Sequence, residues 1–227
     1  MVSKQSTDEF LPEVLQEVMS KHLVVVVDYG MGNTGSLVKM FRKLDCSVIV
    51  SQRAEDLERA SHLVLPGVGA FDKAVQRISA VDGLRELISA RVTEQSVPLL
   101  GVCLGMQLLL ESSEEGPGSG FGWIKGHVRR FQDSTEFRVP HMGWNTLDVS
   151  RTSPLLNDVD DLARFYFVHS YFAEAAEVVD VIATTSHGVE FASVLGRGNV
   201  MGVQFHPEKS HSFGMKVLRN FIELSTC

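Results

Sequence analysis

One cysteine between two glycines marks the place where this chain can do chemistry. Residues 99–107 read Leu-Leu-Gly-Val-Cys-Leu-Gly-Met-Gln, an apolar run that passes into a helical pattern. Gly101 and Gly105 allow a strand to turn sharply into a helix, so we expect the thiol of Cys103 to stand exposed on the turn. A thiol at a helix N-terminus is favoured as the thiolate, which is the form that attacks. The pattern predicts a nucleophile elbow in preference to a buried structural cysteine.

A candidate base lies near the other end of the chain. Val203 and Phe205 alternate with polar residues before Pro207 stops strand pairing, which places His206 at the end of a strand. An imidazole there can meet a nucleophile on a parallel neighbouring strand, and the carboxylate of Glu208 can fix its tautomer. Together with Cys103, these residues predict acyl transfer through a cysteine.

Acyl transfer also needs hydrogen-bond donors for the oxygen that becomes negative. Elbow geometry offers the backbone amide of Leu104. A second donor can come from Gly67, Val68 or Gly69, in a loop that follows a buried strand and precedes a helix. The glycines allow a peptide group of this loop to switch a donor in or out, although an ordinary strand-to-helix turn has the same pattern.

Other polar residues are candidates for contacts with a substrate or a partner. Gln107 lies one helical turn beyond the cysteine and can reach a ligand above the thiol. The acidic run 111–115 can meet an ammonium group or can be a solvated loop. The turn at residues 29–33 lacks both Gly-x-Gly-x-x-Gly and a following Lys-Ser or Lys-Thr, which argues against nucleotide binding. Asn33 in this turn, and Lys209 just after Glu208, are instead candidates for substrate or partner contacts.

Length and composition favour one acidic globular domain. The chain has 227 residues, of which 44% are hydrophobic, and a net charge of −7 at neutral pH. The sequence has no basic block of the kind that would indicate nucleic acid as a partner. It also has no apolar run that reaches the roughly 18 residues of a membrane-spanning helix. Cys46, Cys103 and Cys227 lack metal-ligand spacing and cannot all pair, which fits a reducing compartment. We expect a cytoplasmic protein without a metal site.

Residue periodicity predicts a parallel α/β sheet in the first half of the chain. The β-branched run at residues 23–27 is typical of a central parallel strand. Strands then alternate with helices, which implies a sheet covered by helices on both faces. The strands of this half are predicted at 23–27, 48–50, 62–65 and 98–102, and the helices at 36–44 and 84–92.

The second half reads as short strands separated by turns, which suggests antiparallel additions to the sheet. These strands are predicted at 126–131, 147–149, 165–168, 178–183, 191–195 and 201–205. An amphipathic helix with its apolar residues between 213 and 224 closes the domain.

Residues 1–21 are predicted to form an extension outside a catalytic domain that spans residues 22–227. Phe10, Val14 and Val18 are spaced as on one face of a helix, so this extension can dock on the domain or on a partner. A frayed appendage is the alternative.

Two motifs carry a resemblance to a known family. Gly-Val-Cys-Leu-Gly-Met-Gln around Cys103 and Gln-Phe-His-Pro-Glu-Lys-Ser around His206 resemble the class I, triad-type glutamine amidotransferases. The segments Asp-Tyr-Gly-Met-Gly-Asn, Leu-Pro-Gly-Val-Gly-Ala-Phe, Val-Pro-His-Met-Gly-Trp-Asn and Phe-Val-His-Ser-Tyr are similar to those of the glutaminase subunits of imidazole glycerol phosphate synthases. The resemblance runs from about residue 23 to the C-terminus.

The resemblance implies a flavodoxin-like glutaminase domain, without a cofactor, in a heterodimer with a (β/α)-barrel synthase subunit. Cys103 would be the nucleophile, His206 the general acid and base, and Glu208 the orienting carboxylate. Ammonia from L-glutamine would cross to the barrel, which makes imidazole glycerol phosphate and aminoimidazole carboxamide ribonucleotide in histidine biosynthesis. Glutamine would be held by Gln107, Glu115, the backbone around Ser170 and Tyr171, and the loop from Gly67 to Gly69.

Three alternatives compete with this interpretation. Another triad glutaminase would serve purine, pyridoxal phosphate or aminobenzoate synthesis, but the Pro-His-Met-Gly-Trp-Asn and Tyr-Gly-Met-Gly-Asn segments argue against it. A peptidase or esterase would need an extended-peptide or acyl-chain feature, and no such feature is recognisable. A regulatory binding module without catalysis is disfavoured because Cys103, His206 and Glu208 are all intact.

Overall fold

The fold is a mixed sheet flanked by helices, and the computed structural model describes it over residues 22–132, 135 and 137–224. The extension predicted for residues 1–21 and the third cysteine, Cys227, lie outside these residues. Within them the strands are β1 (Leu23–Val27), β2 (Ser47–Ser51), β3 (His62–Leu65), β4 (Leu99–Val102), β5 (Ser112–Ser113), β6 (Gly116–Ser119), β7 (Gly126–Arg130), β8 (His141–Asn145), β9 (Asp148–Val149), β10 (Phe165–His169), β11 (Tyr171–Ala175), β12 (Val181–His187), β13 (Val189–Arg197) and β14 (Val200–Val203). The α-helices are α1 (Thr34–Arg42), α2 (Ala54–Arg59), α3 (Phe71–Ser79), α4 (Leu84–Thr93), α5 (Leu104–Gln107) and α6 (His211–Ile222), and short 3-10 helices cover Pro154–Leu156, Val178–Asp180 and Pro207–Lys209.

Five parallel strands form the centre of the main sheet, in the order β2-β1-β3-β4-β14. Beyond β14 the sheet continues through β13, β11, β7, β5 and β6, mostly in antiparallel pairs. A separate two-stranded sheet pairs β8 with β10. The predicted class, a parallel α/β sheet with antiparallel additions, is confirmed. The strand β14 joins the two parts, because it pairs in parallel with β4, as expected for the strand that leads to His206, and antiparallel with β13.

The core lies on both faces of the parallel sheet. Val24 and Val26 of β1 pack in one hydrophobic cluster, and Val25 and Val27 pack in the other. Burial on both sides explains why this strand is continuously apolar and does not alternate. Helices α1 and α6 cover the first face, and α2, α3 and α4 cover the second. None of the helices in the described ranges has the length and apolar character needed to cross a membrane.

One predicted strand begins later than its sequence suggested. Residues 178–180 form a 3-10 helix, and the strand β12 starts only at Val181. Val178 and Val179 are exposed, so their apolar side chains have no sheet face to bury. The turn is held by Asp180, whose carboxylate accepts hydrogen bonds of 2.7–3.0 Å from the guanidinium of Arg197.

The turn between β4 and α5 packs closely against the end of β3. A Cβ atom on Gly105 would lie only 1.8 Å from the carbonyl oxygen of Leu65, so no other residue fits there without a shift of the backbone. The helix α5 that follows has a single turn, Leu104–Gln107. Such a short helix has little macrodipole, so the predicted dipole effect on the thiol of Cys103 is small.

We predict that Gly105→Ala lowers the free energy of unfolding by about 3 kcal/mol or more, because the added methyl group collides with backbone of β3. Urea denaturation followed by circular dichroism measures this change. Gly35→Ala in α1 is the matched control, since a Cβ there meets nothing within 4 Å and alanine in a helix gains about 0.5–1 kcal/mol. Equal stability of the two variants would contradict the close approach.

Candidate active site

Cys103 lies at the sharp turn between β4 and α5. Its backbone dihedrals are φ 55° and ψ −110°, a region that non-glycine residues rarely occupy. The Cys103 amide donates to the Val203 carbonyl at 2.8 Å, which ties the turn to the end of β14. The residue is 6% exposed, so the thiol lies at the bottom of a cavity and does not stand exposed as the sequence predicted.

His206 and Glu208 form a buried pair beyond the end of β14. The ring nitrogen Nδ1 of His206 lies 2.8 Å from Oε1 of Glu208, and both side chains are 2% exposed. Because the carboxylate accepts, Nδ1 carries a proton and Nε2 remains as the reactive ring nitrogen. Nε2 has no hydrogen-bond partner among the residues that the structure describes. The backbone amide of His206 donates to the Tyr166 carbonyl at 2.9 Å, which fixes the residue against β10.

The surroundings of His206 favour its charged form. Burial by itself lowers the pKa of His206, but the nearby Cys103 sulfur and the Glu208 carboxylate stabilise the imidazolium and raise the pKa to about 9. Histidine in an unfolded chain has a pKa of about 6.5. The raised pKa of His206 therefore adds to the free energy of unfolding. This contribution is fully present below about pH 6.5 and is lost as the pH rises through about 9.

A cavity of about 530 Å³ opens above Cys103 and His206. Its wall holds most of the residues that the sequence singled out for substrate contacts. They are Val68, Gly69, Leu104, Gln107, Glu115, Ser170, Tyr171 and Lys209. Two candidates do not line it: Gly67 is buried directly against Leu104, and Asn33 is an exposed residue at the start of α1.

The loop after β3 lies beside the thiol. The hydroxyl of the buried Tyr29 donates to the Pro66 carbonyl at the start of this loop. Burial raises the pKa of Tyr29 far above its usual value, with a smaller contribution from Cys103, so the hydroxyl keeps its proton. Gly69 has φ +103°, a conformation that favours glycine. Val68, which lies between Pro66 and Gly69 in this loop, is exposed and lines the cavity.

Two buried glutamines connect the cavity wall to the thiol. The amide of Gln107 donates to the Tyr171 carbonyl at 2.9 Å and to Oε1 of Gln204 at 3.1 Å. The amide nitrogen of Gln204 lies 3.7 Å from Sγ of Cys103. The sequence interpretation missed Gln204. The available signal was a polar residue two positions before His206, between the apolar residues Val203 and Phe205, and the structure buries it fully.

The acidic run at residues 111–115 resolves into separate structural contacts. Glu111 accepts from the Gly126 amide at 3.0 Å, and Glu114 pairs with Arg129 at 3.3 Å. Glu115 alone of these glutamates lines the cavity, and its Oε2 accepts from the first amide of α3 at 2.7 Å. The run therefore supplies one carboxylate to the cavity.

The site brings a nucleophilic side chain and a basic side chain to one cavity. Within residues 22–132, 135 and 137–224, no group of three or more histidine, cysteine, aspartate or glutamate side chains is arranged to hold a metal ion. A thiol and an imidazole with a fixed tautomer beside one cavity can carry out nucleophilic attack on a carbonyl carbon and return a proton to the leaving group.

Known proteins are similar to this chain in sequence and in fold. The family model described as glutamine amidotransferase class-I matches residues 25–224. The imidazole glycerol phosphate synthase subunit HisH 2 of Methanococcus maripaludis is 42% identical over 88% of this chain and 99% of its own length. The subunit HisH of Geobacillus thermodenitrificans is 45% identical over 90% of this chain and 97% of its own length. The crystal structure of a glutamine amidotransferase from Thermotoga maritima has a TM-score of 0.62 and 15% identity, over 89% of this chain and 96% of that chain, and shows the same fold.

We predict that the pKa of His206 falls back towards the usual histidine value in Glu208→Gln, because the amide no longer stabilises the imidazolium by charge. NMR titration of the histidine ring protons measures this directly, and the other histidines in the same spectrum serve as internal controls. A pKa that stays near 9 in the variant would show that Glu208 does not hold the proton on His206.

Proposed function

Because the chain belongs to the class-I glutamine amidotransferase family, we propose that it is the glutaminase subunit of an imidazole glycerol phosphate synthase. The observation that carries the proposal is that Cys103 and His206 line one cavity while Glu208 is hydrogen-bonded to His206 behind it. Relatives with that name are 42% and 45% identical over nearly their whole length. The proposed catalytic unit spans residues 22–227, with residues 1–21 as an extension outside it.

The proposed reaction is hydrolysis of glutamine through a thioester. The thiolate of Cys103 attacks the carboxamide carbon, and the imidazolium of His206 gives its proton to the departing ammonia. Water then attacks the thioester while the same imidazole accepts its proton, and the thiolate leaves as glutamate is released. Glu208 holds the tautomer that leaves Nε2 of His206 free for both transfers.

Backbone donors stabilise the oxyanion in each half of this reaction. The amide of Leu104 directly follows the nucleophile, and the residues Gly67, Val68 and Gly69 form the adjacent loop. One such donor is typically worth about 3 kcal/mol of barrier. Because Gly69 has a positive φ and Val68 is exposed, this loop is the part of the site that can gate it.

Glutamine is proposed to bind along the wall that faces the thiol. The carboxylate of Glu115 supplies a negative charge for the substrate ammonium. The amide of Gln107 and the backbone around Ser170 and Tyr171 supply polar contacts for the rest of the amino acid. No cofactor takes part in the proposed reaction.

We propose that the synthase subunit, a (β/α)-barrel, docks over the mouth of this cavity. Met142 is 63% exposed and Trp144 is 44% exposed, which is unusual for side chains of this size. The Trp144 ring contacts Tyr166, whose ring lies 5.3 Å from Nζ of Lys209 at the cavity wall. Asn33 is the second proposed interface residue. A covered mouth would pass ammonia to the barrel before water protonates it.

A cytoplasmic location fits the proposed role. Cys46 and Cys103 are both free thiols, as expected in a reducing compartment. Histidine biosynthesis is the proposed pathway, with a heterodimer as the working assembly.

Cys103→Ala tests the nucleophile. We expect glutamine-dependent product formation by the complex with the synthase subunit to fall at least about a thousandfold, while product formation from added ammonium continues. Cys46→Ala, which removes the other described free thiol, is the matched control and keeps both activities. Glutamine-dependent turnover in Cys103→Ala would refute the assignment, and loss of both activities would indicate misfolding.

A comparison of the isolated chain with the complex tests the gate. If the loop from Gly67 to Gly69 withholds its donor until the partner is loaded, we expect glutaminase turnover to rise by about a hundredfold or more on addition of the synthase subunit and its nucleotide substrate. The measurement is glutamate release under each condition. Equal turnover alone and in complex would exclude gating by this loop.

A further inference from the structure

Two buried histidines beside the cavity have no role in the reaction described above. His141 on β8 and His169 on β10 are register partners in the two-stranded sheet, and both are buried. The rings of Phe131, Phe167 and Phe191 surround them, with centroids 4.8–5.4 Å from a histidine ring. In such apolar surroundings a ring nitrogen without a hydrogen bond is costly.

The four ring nitrogens form one directed chain of hydrogen bonds. Nδ1 of His169 lies 2.8 Å from the Tyr171 carbonyl oxygen, which only accepts, so this nitrogen carries a proton. In the neutral ring Nε2 then accepts, and it accepts from Nδ1 of His141 at 3.0 Å. Nε2 of His141 accepts in turn from the side-chain amide of Asn145 at 3.3 Å. Each tautomer is therefore set by its neighbour.

The side-chain amide of Asn145, which forms the outer end of this chain, also has a fixed orientation. The amide nitrogen of Asn145 donates to the Ser186 carbonyl at 2.9 Å, and its oxygen accepts from the Thr146 amide at 2.9 Å. These two contacts distinguish the nitrogen of the amide from its oxygen, so the group facing His141 is a donor.

Both histidines are neutral at physiological pH. Burial, with a smaller effect from His187, lowers the pKa of His141 to about 4. Burial lowers the pKa of His169 to about 3, although the Tyr171 carbonyl favours its charged form. A proton added to either ring would place two donors against each other and break the chain.

The inner end of the chain lies in the proposed substrate site. The Tyr171 carbonyl accepts from His169 at 2.8 Å and also from the amide of Gln107 at 2.9 Å. The same Gln107 amide contacts Gln204, which lies beside the sulfur of Cys103. His169, Tyr171 and Gln107 all line the cavity above Cys103.

We propose that His141 and His169 are positioning residues, which hold the Tyr171 carbonyl and through it orient the Gln107 amide for glutamine. The inference rests on the proposed glutaminase function. The hydrogen-bond chain through the two rings ends at the Tyr171 carbonyl and does not include Cys103, His206 or Glu208. Gln107, which shares that carbonyl, would contact glutamine in the ground state and in the transition state alike. Loss of the chain therefore weakens substrate binding more than it slows chemistry.

The test compares two substitutions of His169 in the complex with the synthase subunit. His169→Phe keeps a planar ring but has no donor, and we expect the KM for glutamine to rise about tenfold or more, with kcat within about threefold of wild type. His169→Asn places an amide nitrogen near the position of Nδ1, and we expect it to recover most of the lost affinity.

His187→Phe is the matched control. The His187 ring stacks on His141 with centroids 4.3 Å apart, and its Nε2 bonds to the Arg138 carbonyl, outside the chain that reaches Tyr171. Phenylalanine preserves the stacking, so the KM for glutamine should stay within about twofold of wild type. A rise equal to that of His169→Phe would reduce the effect to packing and overturn the proposal.

Two readouts separate positioning from misfolding. Thermal melting and ammonium-dependent product formation report an intact fold and complex. If His169→Phe does not fold, His141→Leu and His141→Asn provide the same loss and recovery one step further out. An unchanged KM in the apolar variants, or asparagine variants no better than them, would refute the positioning role while wild type still hydrolyses glutamine. A wild-type complex that does not hydrolyse glutamine would refute the proposed function and this inference with it.

Discussion

The hydrogen bond from the Cys103 amide to the Val203 carbonyl is the contact on which the site depends. It extends the parallel register of β4 and β14, in which Val102 pairs with Val203, by one residue beyond the strands. Because parallel strands end at the same edge of a sheet, the thiol and the segment leading to His206 emerge side by side. Gly105 allows the turn that follows to pack against β3, which brings the loop after that strand to the same cavity. The site is thus an outcome of strand order and register.

Histidine has opposite roles at two places within this small region, and the neighbour of each ring decides which. His206 has a carboxylate on one side and a sulfur on the other, so its charged form is favoured in spite of burial. His141 and His169 are buried among phenylalanine rings and bond to a carbonyl, an amide and each other, so their neutral forms are favoured. Burial disfavours the charged form of the imidazole in both cases, and only a nearby opposite charge offsets this effect. The region therefore holds one ring whose charged form is favoured beside two neutral rings with fixed tautomers.

The sequence predicted the parts of the structure that depend on local pattern. The apolar run of β1, the glycines around Cys103 and the spacing of His206 and Glu208 each follow from a rule that acts over a few residues, and the structure has all of them in place. The strands β8 and β11 were not predicted, because each is only five residues long and neither contains a β-branched residue. The contact of Glu115 with the first amide of α3 spans 44 positions of the chain, and only the folded sheet brings these groups together. Gln204 shows the intermediate case, in which a local signal existed but its meaning depended on which strand lay beside it.

The place of β14 in the sheet has a consequence for how the chain reaches its native state. This strand is the last in the sequence, yet it lies in the interior, between β4 and β13. Contacts across it join residues about 100 positions apart, such as Gln204 and Cys103, and pairings of this kind form slowly because a long loop must close first. The strands β13 and β14 are joined by residues 198–199 and can pair locally, so the long-range step is the pairing of β14 with β4. Until that step, β4 and β14 each present an unpaired edge of backbone donors and acceptors, which is the type of surface that leads to aggregation. Docking of this hairpin onto β4 completes the sheet and removes both exposed edges.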